Sequence, residues 1–222
     1  MTVEGALYER RSTRVFADKS VPLSLVRDLL EASRWTPSGG NLQPWKVKVV
    51  SGSACEAVIN LACDAIKLGR PSEEGEHSVY PADLSTPYRD RRFKVGEDMY
   101  AILGIRRDDK PARLGWLTNN YRFFGAPIGL FFIIERGMGH GQWAHLGMFM
   151  QSLMLMATER GLATCPQEAW VRFRGQLHGY FQLNADELVY CGMALGYAAD
   201  HPVNAMRSDR AEVDEFAEFL GV

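Results

Sequence analysis

Arg10, Arg11, Ser12 and Arg14 crowd guanidinium forks and a hydroxyl into five residues, a set able to hold a phosphate by charge-assisted hydrogen bonds. The same run also reads as a solvated helix end with incidental arginines. Further on, Pro37-Ser-Gly-Gly-Asn-Leu-Gln-Pro-Trp45 joins two glycines to the amides of Asn41 and Gln43. Gly39 and Gly40 permit backbone conformations and close approaches that a Cβ forbids. Each amide offers a donor and an acceptor, suited to the polar edge of a planar ring; a tight connection before a strand is the plainer alternative. A third run, Thr164-Cys-Pro-Gln-Glu-Ala-Trp170, could form a wall with backbone N–H groups facing a ring, or an ordinary connection. The other clustered cations are arginines as well: Arg89, Arg91 and Arg92 in the middle, Arg207 and Arg210 near the end. Arginine suits bidentate grip on phosphate or carboxylate, with solvated surface charge the simpler reading of the middle cluster.

These residues need elements to position them. Pro22 opens a helical pattern in which Val26, Leu29, Leu30 and Ser33 share a face, and it stops before Pro37. Residues 36–45 hold too many turn formers for helix or strand, and 46–50 alternate like a half-buried strand. Ser53 with Glu56 reads as a capping box opening a helix through Val58, Leu61, Ala62 and Ile66. From Gly69 to Pro87 a loop is expected. The stretch to Phe124 reads as irregular helix with exposed-looking aromatics Tyr100, Trp116, Tyr121, Phe123 and Phe124. Ile128–Ile134 is apolar and β-rich, as a central strand should be. Trp143, Leu146, Met150, Leu153 and Ala157 then mark a long buried helix ending near Gly161. A shorter helix is expected over 171–180, a strand over 188–197 and a terminal helix over 213–220. Few strands among many helices point to α+β.

Composition narrows the class. A length of 222 residues with 46% hydrophobic content suits one large domain with a sizeable core. Net charge of −2 argues against a general nucleic-acid or membrane binder. The most apolar run is far shorter than the roughly 20 residues a bilayer span needs, and the amino end is amphipathic rather than a signal run. The four cysteines, Cys55, Cys63, Cys165 and Cys191, show no CxxC or zinc-like spacing, which fits inert thiols in a reducing cytoplasm. The five scattered histidines give no reason to expect a metal. Without GxGxxG or GxxxxGK[ST], Rossmann and P-loop enzymes are disfavoured.

Taken together, RRSTR followed by Val15-Phe16, PSGGNLQPW, PQEAW, and Asn204-Ala-Met-Arg207 with Arg210 after Leu195-Gly-Tyr197 resemble the nitroreductase family of FMN-dependent oxidoreductases. The likeness runs in the right order over nearly the whole chain. It implies a single FMN-binding domain over 1–222, an α+β sandwich with a central, mostly antiparallel sheet flanked by helices. A helical and loop excursion at about 69–125 would lie near the substrate pocket. It also implies an intertwined homodimer with two FMN sites, each lined by both subunits. Carried across by motif, Arg10, Arg11, Ser12 and Arg14 would grip the phosphate and the ring's pyrimidine edge. Pro37, Ser38, Gly39, Asn41 and Gln43 would line the flavin from the partner chain. Pro166, Gln167, Glu168 and Ala169 would lie near the reactive N5 edge, and Arg207 with Arg210 would complete the phosphate cradle. Ala169 stands where many relatives have glycine.

The same resemblance implies ping-pong turnover, NAD(P)H giving hydride to the flavin before a small aromatic electron acceptor enters the same pocket. The flavin carries the hard step, so no residue is named as catalytic. Arg14 is expected to stabilise negative charge near N1 and the C2 carbonyl, and Glu168 is a second candidate for electrostatic support. A nitroaromatic or quinone fits such a pocket. Trp116, Tyr121, Phe123 and Phe124 are candidates for the wall it stacks on, with core packing as the competing role. Arg89, Arg91 or Arg92 could favour an acidic acceptor such as a nitrobenzoate. Reductive dehalogenation, alkene reduction, flavin fragmentation, a flavin carrier without turnover, and loops with no flavin stay open as alternatives.

Overall fold

The structure, a computed structural model, describes residues 1–69 and 79–221. Arg70 and His77 therefore lie outside the described residues, as does most of the expected 69–87 loop.

A four-stranded sheet organises the chain. Its strands are β1 (Lys46–Ser51), β2 (Ile128–Glu135), β3 (Ala163–Gln167) and β4 (Glu187–Gly196), in the order β1-β2-β4-β3 and antiparallel throughout. Successive side chains of a strand point to opposite faces, and β2 is buried on both. Ile128, Leu130, Phe132 and Ile134 pack with α2 (Leu23–Ser33) and the twenty-residue α6 (His140–Glu159) through Val26, Leu29, Leu146, Phe149 and Leu153. Phe131 and Ile133 enter the opposite cluster with Val58 and Ala62 of α3 (Gly52–Lys67), Trp170, and Leu177 of α7 (Arg174–Phe181). Each such side chain contributes about 1.5–3 kcal/mol on burial, so the sheet is the middle layer of an α+β sandwich.

The remaining helices are α1 (Val3–Glu9), α4 (Tyr88–Ile102), α5 (Lys110–Thr118) and the single turn α8 (Pro202–Ala205). α6 ends as expected. Gly161 turns left-handed at φ 71°, its N–H donates to the Thr158 carbonyl, and the Leu162 N–H donates to Ala157 at 2.8 Å.

Four expectations are corrected. α3 has Ser51, without a capping side chain, at its N-cap, because β1 runs straight into left-handed Gly52; Ser53 lies inside the first turn. Residues 163–167 form a strand despite Pro166, which an edge position tolerates. The 213–220 segment makes only one 3-10 turn, Val213–Glu215, since Phe216, Phe219 and Leu220 are left exposed among the described residues and a helix that short needs a surface to dock on. Tyr100, Tyr121, Phe123 and Phe124 are buried rather than exposed; only Trp116 stays half-open.

Candidate active site

The two ends of the chain meet beside β3. After α1, Ser12 bridges to Thr164 and Phe16 to Ala198. The Thr13 N–H donates to the Thr164 carbonyl at 2.9 Å and the Ala17 N–H to Tyr197 at 2.8 Å. Asn204 then joins the carboxy-terminal segment to this stretch. Its Oδ1 accepts from the Arg14 N–H at 2.8 Å and the Val15 N–H at 3.2 Å. Its Nδ2 donates to the carbonyls of Val15 at 2.7 Å and Ala199 at 2.9 Å. Every donor and acceptor position of the amide is thereby used. Motif reading passes over Asn204 as a site residue; an amide inside Asn204-Ala-Met-Arg207 carries no local sign that it bonds 190 residues away.

Around this joint the arginines gather. Arg207 donates to the Tyr8 carbonyl and reaches Glu9 at 3.9 Å. Arg11 faces Glu9 at 3.6 Å and the Asn204 carbonyl at 3.4 Å. Arg10 is half-buried. Burial first, and the charge of Arg210 second, hold its guanidinium below the ordinary arginine range. The Arg14 guanidinium donates to the Ser12 carbonyl and Arg210 to Ser208 and the Asp209 carbonyl. Among the described residues, Arg10, Arg14 and Arg210 have no carboxylate partner, and the buried Arg11 Nε has no hydrogen-bond acceptor. A half-buried Arg10 repelled by Arg210 and a buried Arg11 Nε with no acceptor leave donors free, which match the donor set an anionic phosphate needs.

β3 leads from this cradle to the PQEAW run. Burial pushes the Cys165 thiol up to about 11, and Arg14 and Arg10 pull it back. Pro166 is half-buried at the strand's end. Gln167 is only 2% exposed, and its amide is occupied. Nε2 donates to the Asn120 carbonyl at 2.7 Å and Oε1 accepts from the Trp170 indole at 3.4 Å. Between these bonds sit Glu168 and Ala169. Glu168 keeps one side open to solvent, while the protein packed around its carboxyl raises its pKa.

Three of the four expected wall residues serve the core instead. Phe123 is 0% exposed and Tyr121 and Phe124 are each 8% exposed. Tyr121 meets Trp170 and Phe173 edge-on at 5.4 and 4.8 Å, and Phe123 lies 4.9 Å from Trp170. Their rings pack on Trp170, Phe173, Phe131 and Trp116. Trp116, 6.2 Å from Phe124, keeps part of its surface open. The middle arginines are engaged at the surface: Arg89 with Asp90 at 3.2 Å, Arg91 with Glu215 at 2.8 Å, and Arg92 over the Tyr80 ring at 3.9 Å.

The glycine–amide loop lies elsewhere in the chain. Gly40, Asn41 and Gln43 are left-handed at φ 60°, 53° and 49°. The loop closes on itself through Gln43 N–H to Ser38 Oγ at 2.9 Å and Gln43 Nε2 to the Asn41 carbonyl at 3.2 Å. It rests on α6, where the Gly39 N–H faces His145 Nδ1 at 3.4 Å and Trp45 stacks on Phe149 at 4.8 Å. Pro37, Gly39, Asn41 and Gln43 stand exposed, and among the described residues no hydrogen bond or ion pair joins them to Arg10–Arg14 or to 166–169.

Comparison with known proteins accords with this geometry. A family model described as the nitroreductase family matches residues 7–197. A chloronitrobenzene nitroreductase from Comamonas testosteroni is 34% identical over 98% of this chain and 96% of its own length. A 4-nitrobenzoate reductase from Pseudomonas putida is 34% identical over 98% and 95%. The crystal structure of the FMN- and NADPH-dependent nitroreductase NfnB from Sphigopyxis sp. strain HMH superposes with a TM-score of 0.96, at 41% identity and full coverage of both chains. Motifs, fold and relatives agree, and this chain belongs to the nitroreductase family.

Proposed function

We propose that the chain is an FMN-dependent oxidoreductase that takes electrons from NAD(P)H and passes them to nitroaromatic or quinone-like acceptors by ping-pong turnover. The observation that carries this reading is Arg10 held near Arg210 and, with Arg14, near Cys165, beside a buried Arg11 Nε lacking an acceptor. When bound, FMN supplies the hydride and electron chemistry, and the protein supplies position and electrostatics. Arg10, Arg11, Arg14 and Arg210 hold the phosphate, with Ser12 beside them and Arg207 bracing Tyr8 and Glu9. Arg14, whose guanidinium donates to the Ser12 carbonyl, would also steady negative charge at the ring's pyrimidine edge. The run from Pro166 to Ala169 would line the ring's reactive edge. Trp116 remains the aromatic available to the acceptor. The relatives' names support a nitroaromatic acceptor, and the likeness to NfnB, an FMN- and NADPH-dependent enzyme, supports that pair of cofactors.

A second copy of the chain completes the site in this reading, its half-buried Ser38 and exposed Pro37, Gly39, Asn41 and Gln43 lining the flavin. Trp35 next to that loop is 80% exposed and Leu220 on the tail 81%, surface that a homodimer would cover. Among the described residues no helix is long and apolar enough to cross a membrane. Four free cysteines accord with a reducing cytoplasm.

The test is the visible spectrum of the purified protein. Oxidised-flavin bands should bleach with anaerobic NADPH or NADH and return when nitrobenzene or 4-nitrobenzoate is added. Protein without flavin that takes up no FMN would sink the reading. Bound flavin that neither nucleotide bleaches would make it a carrier, and return of the bands only with halogenated or enone acceptors would change the reaction.

A further inference from the structure

We infer that Gln167 is a positioning residue whose side chain sets the orientation of the Glu168–Ala169 peptides without itself touching a ligand; this rests on the flavin reading above. A buried amide is costly unless its hydrogen bonds are made, and Gln167 spends its bonds on two segments. Nε2 holds the Asn120 carbonyl at 2.7 Å, and Oε1 takes the Trp170 indole N–H at 3.4 Å. Residues 167 and 170 bracket Glu168 and Ala169, so the second bond closes a small ring around those two peptides. A third tie comes from the Tyr121 hydroxyl, which donates to the Ala169 carbonyl at 3.4 Å.

The anchors themselves are rigid. Trp170 is fully buried over Gly192, the residue paired with Gln167 across β3 and β4. Asn120 lies in the 3-10 turn Asn119–Gly125, in which Phe123 and Phe124 are both left-handed, at φ 49° and 52°. Bulky residues adopt that conformation rarely, and it persists only where the surroundings over-determine it. The Gln167 amide thus joins the end of β3, the turn that follows α5 and the run that carries Glu168. A peptide meant to address a ring must be held within about 0.5 Å, and this staple supplies the constraint.

Gln167→Met keeps the length and removes both bonds. Trp170→Phe keeps a ring over Gly192 and removes only the indole donor. In flavin-free protein, hydrogen exchange at the amides of 168–171 should quicken at least about tenfold in Gln167→Met, with β2 unchanged. In loaded protein, FMN should stay bound through the arginines. Its two-electron midpoint potential should move by about 30 mV, the equivalent of a tenfold change in equilibrium, and kcat should fall more than KM changes. Trp170→Phe should move the same readouts by less, and it decides the matter if Gln167→Met fails to fold. Unchanged exchange together with an unchanged potential overturns the inference. Wild-type protein that takes up no FMN overturns the functional reading instead, so the two failures are distinguishable.

Discussion

The indole of Trp170 occupies the space that a side chain at Gly192 would need. A Cβ there would stand 2.9 Å from Nε1 and 3.0 Å from Cγ, and closer still to Cδ1. Gly129 leaves the same kind of notch for Phe123, with two ring carbons at 2.7 and 2.8 Å from a notional Cβ. Both notches face the cluster that holds Phe131, and both rings are fully buried. Gly192→Ala must therefore push a rigid ring out of a packed layer. We expect it to cost about 1–3 kcal/mol, read as a lower urea midpoint with the slope unchanged. An unaltered midpoint would mean that the aromatic layer slides freely over β4.

Arg10 and Arg11 are neighbours with different surroundings, and they should respond differently to substitution. Arg10 has no carboxylate partner among the described residues and is repelled by Arg210, whereas Arg11 faces Glu9 at 3.6 Å. Loss of a charge-assisted hydrogen bond costs about 1.5–3 kcal/mol, roughly ten- to hundredfold in affinity. Arg10→Gln should weaken FMN binding by that amount, and Arg11→Gln by less. Fluorescence titration of flavin-free protein at several salt concentrations reads both. Full FMN affinity in Arg10→Gln would remove the phosphate assignment.

Asn204→Asp separates shape from bonding. The carboxylate can still accept from the Arg14 and Val15 N–H groups, but nothing is left to donate to the carbonyls of Val15 and Ala199. With two acceptors facing a third, the joint should lose about 1–3 kcal/mol, and the new negative charge should further depress FMN uptake. Stability equal to wild type at neutral pH would show that the joint does not depend on the two donated bonds.

One ion-pair cluster predicts a pH dependence. Lys46 Nζ lies 2.7 Å from Glu187 Oε1 and 2.9 Å from Glu135 Oε1. The Lys46 hydrogen bond first, and the Asn184 N–H second, hold the Glu187 carboxyl below its ordinary value. The folded protein therefore binds this proton less readily than the unfolded chain. The stabilisation is fully present above the unfolded value, about 4.3, and is lost as pH falls through the folded one. Lys46→Met should cost about 1 kcal/mol at pH 7, given the half-exposed lysine, and the difference from wild type should shrink at pH 3. Urea unfolding at the two pH values checks this; a gap that stayed constant would assign the effect to lost packing.

Much of the frame is legible locally. β2 is an unbroken apolar run because both faces of the sheet are covered, and α2 announces its buried face through Val26, Leu29 and Ser33. Gly40 and Gly161 stand where the backbone turns left-handed. β3 is not legible, since Pro166 interrupts it and only its place at the sheet edge makes that tolerable. The tail pattern Val213, Phe216 and Leu220 has helical spacing, yet a helix that short needs a surface to dock on.

By itself, then, the order of residues determined most of the helices and strands, β3 and the tail excepted, and which side chains are fit to meet an anion, because those properties depend on near neighbours. The tertiary structure alone decided that Arg10 meets Arg210 and lies with Arg14 near Cys165, since like charges repel and nothing local pairs them. Hydrogen bonds from the Thr13 N–H to β3 and from the Arg14 and Val15 N–H groups to Asn204 draw them together. It also decided that Tyr121, Phe123 and Phe124 are core rather than wall. That outcome follows from two left-handed residues and from the notch at Gly129, which a reading of either segment alone does not connect.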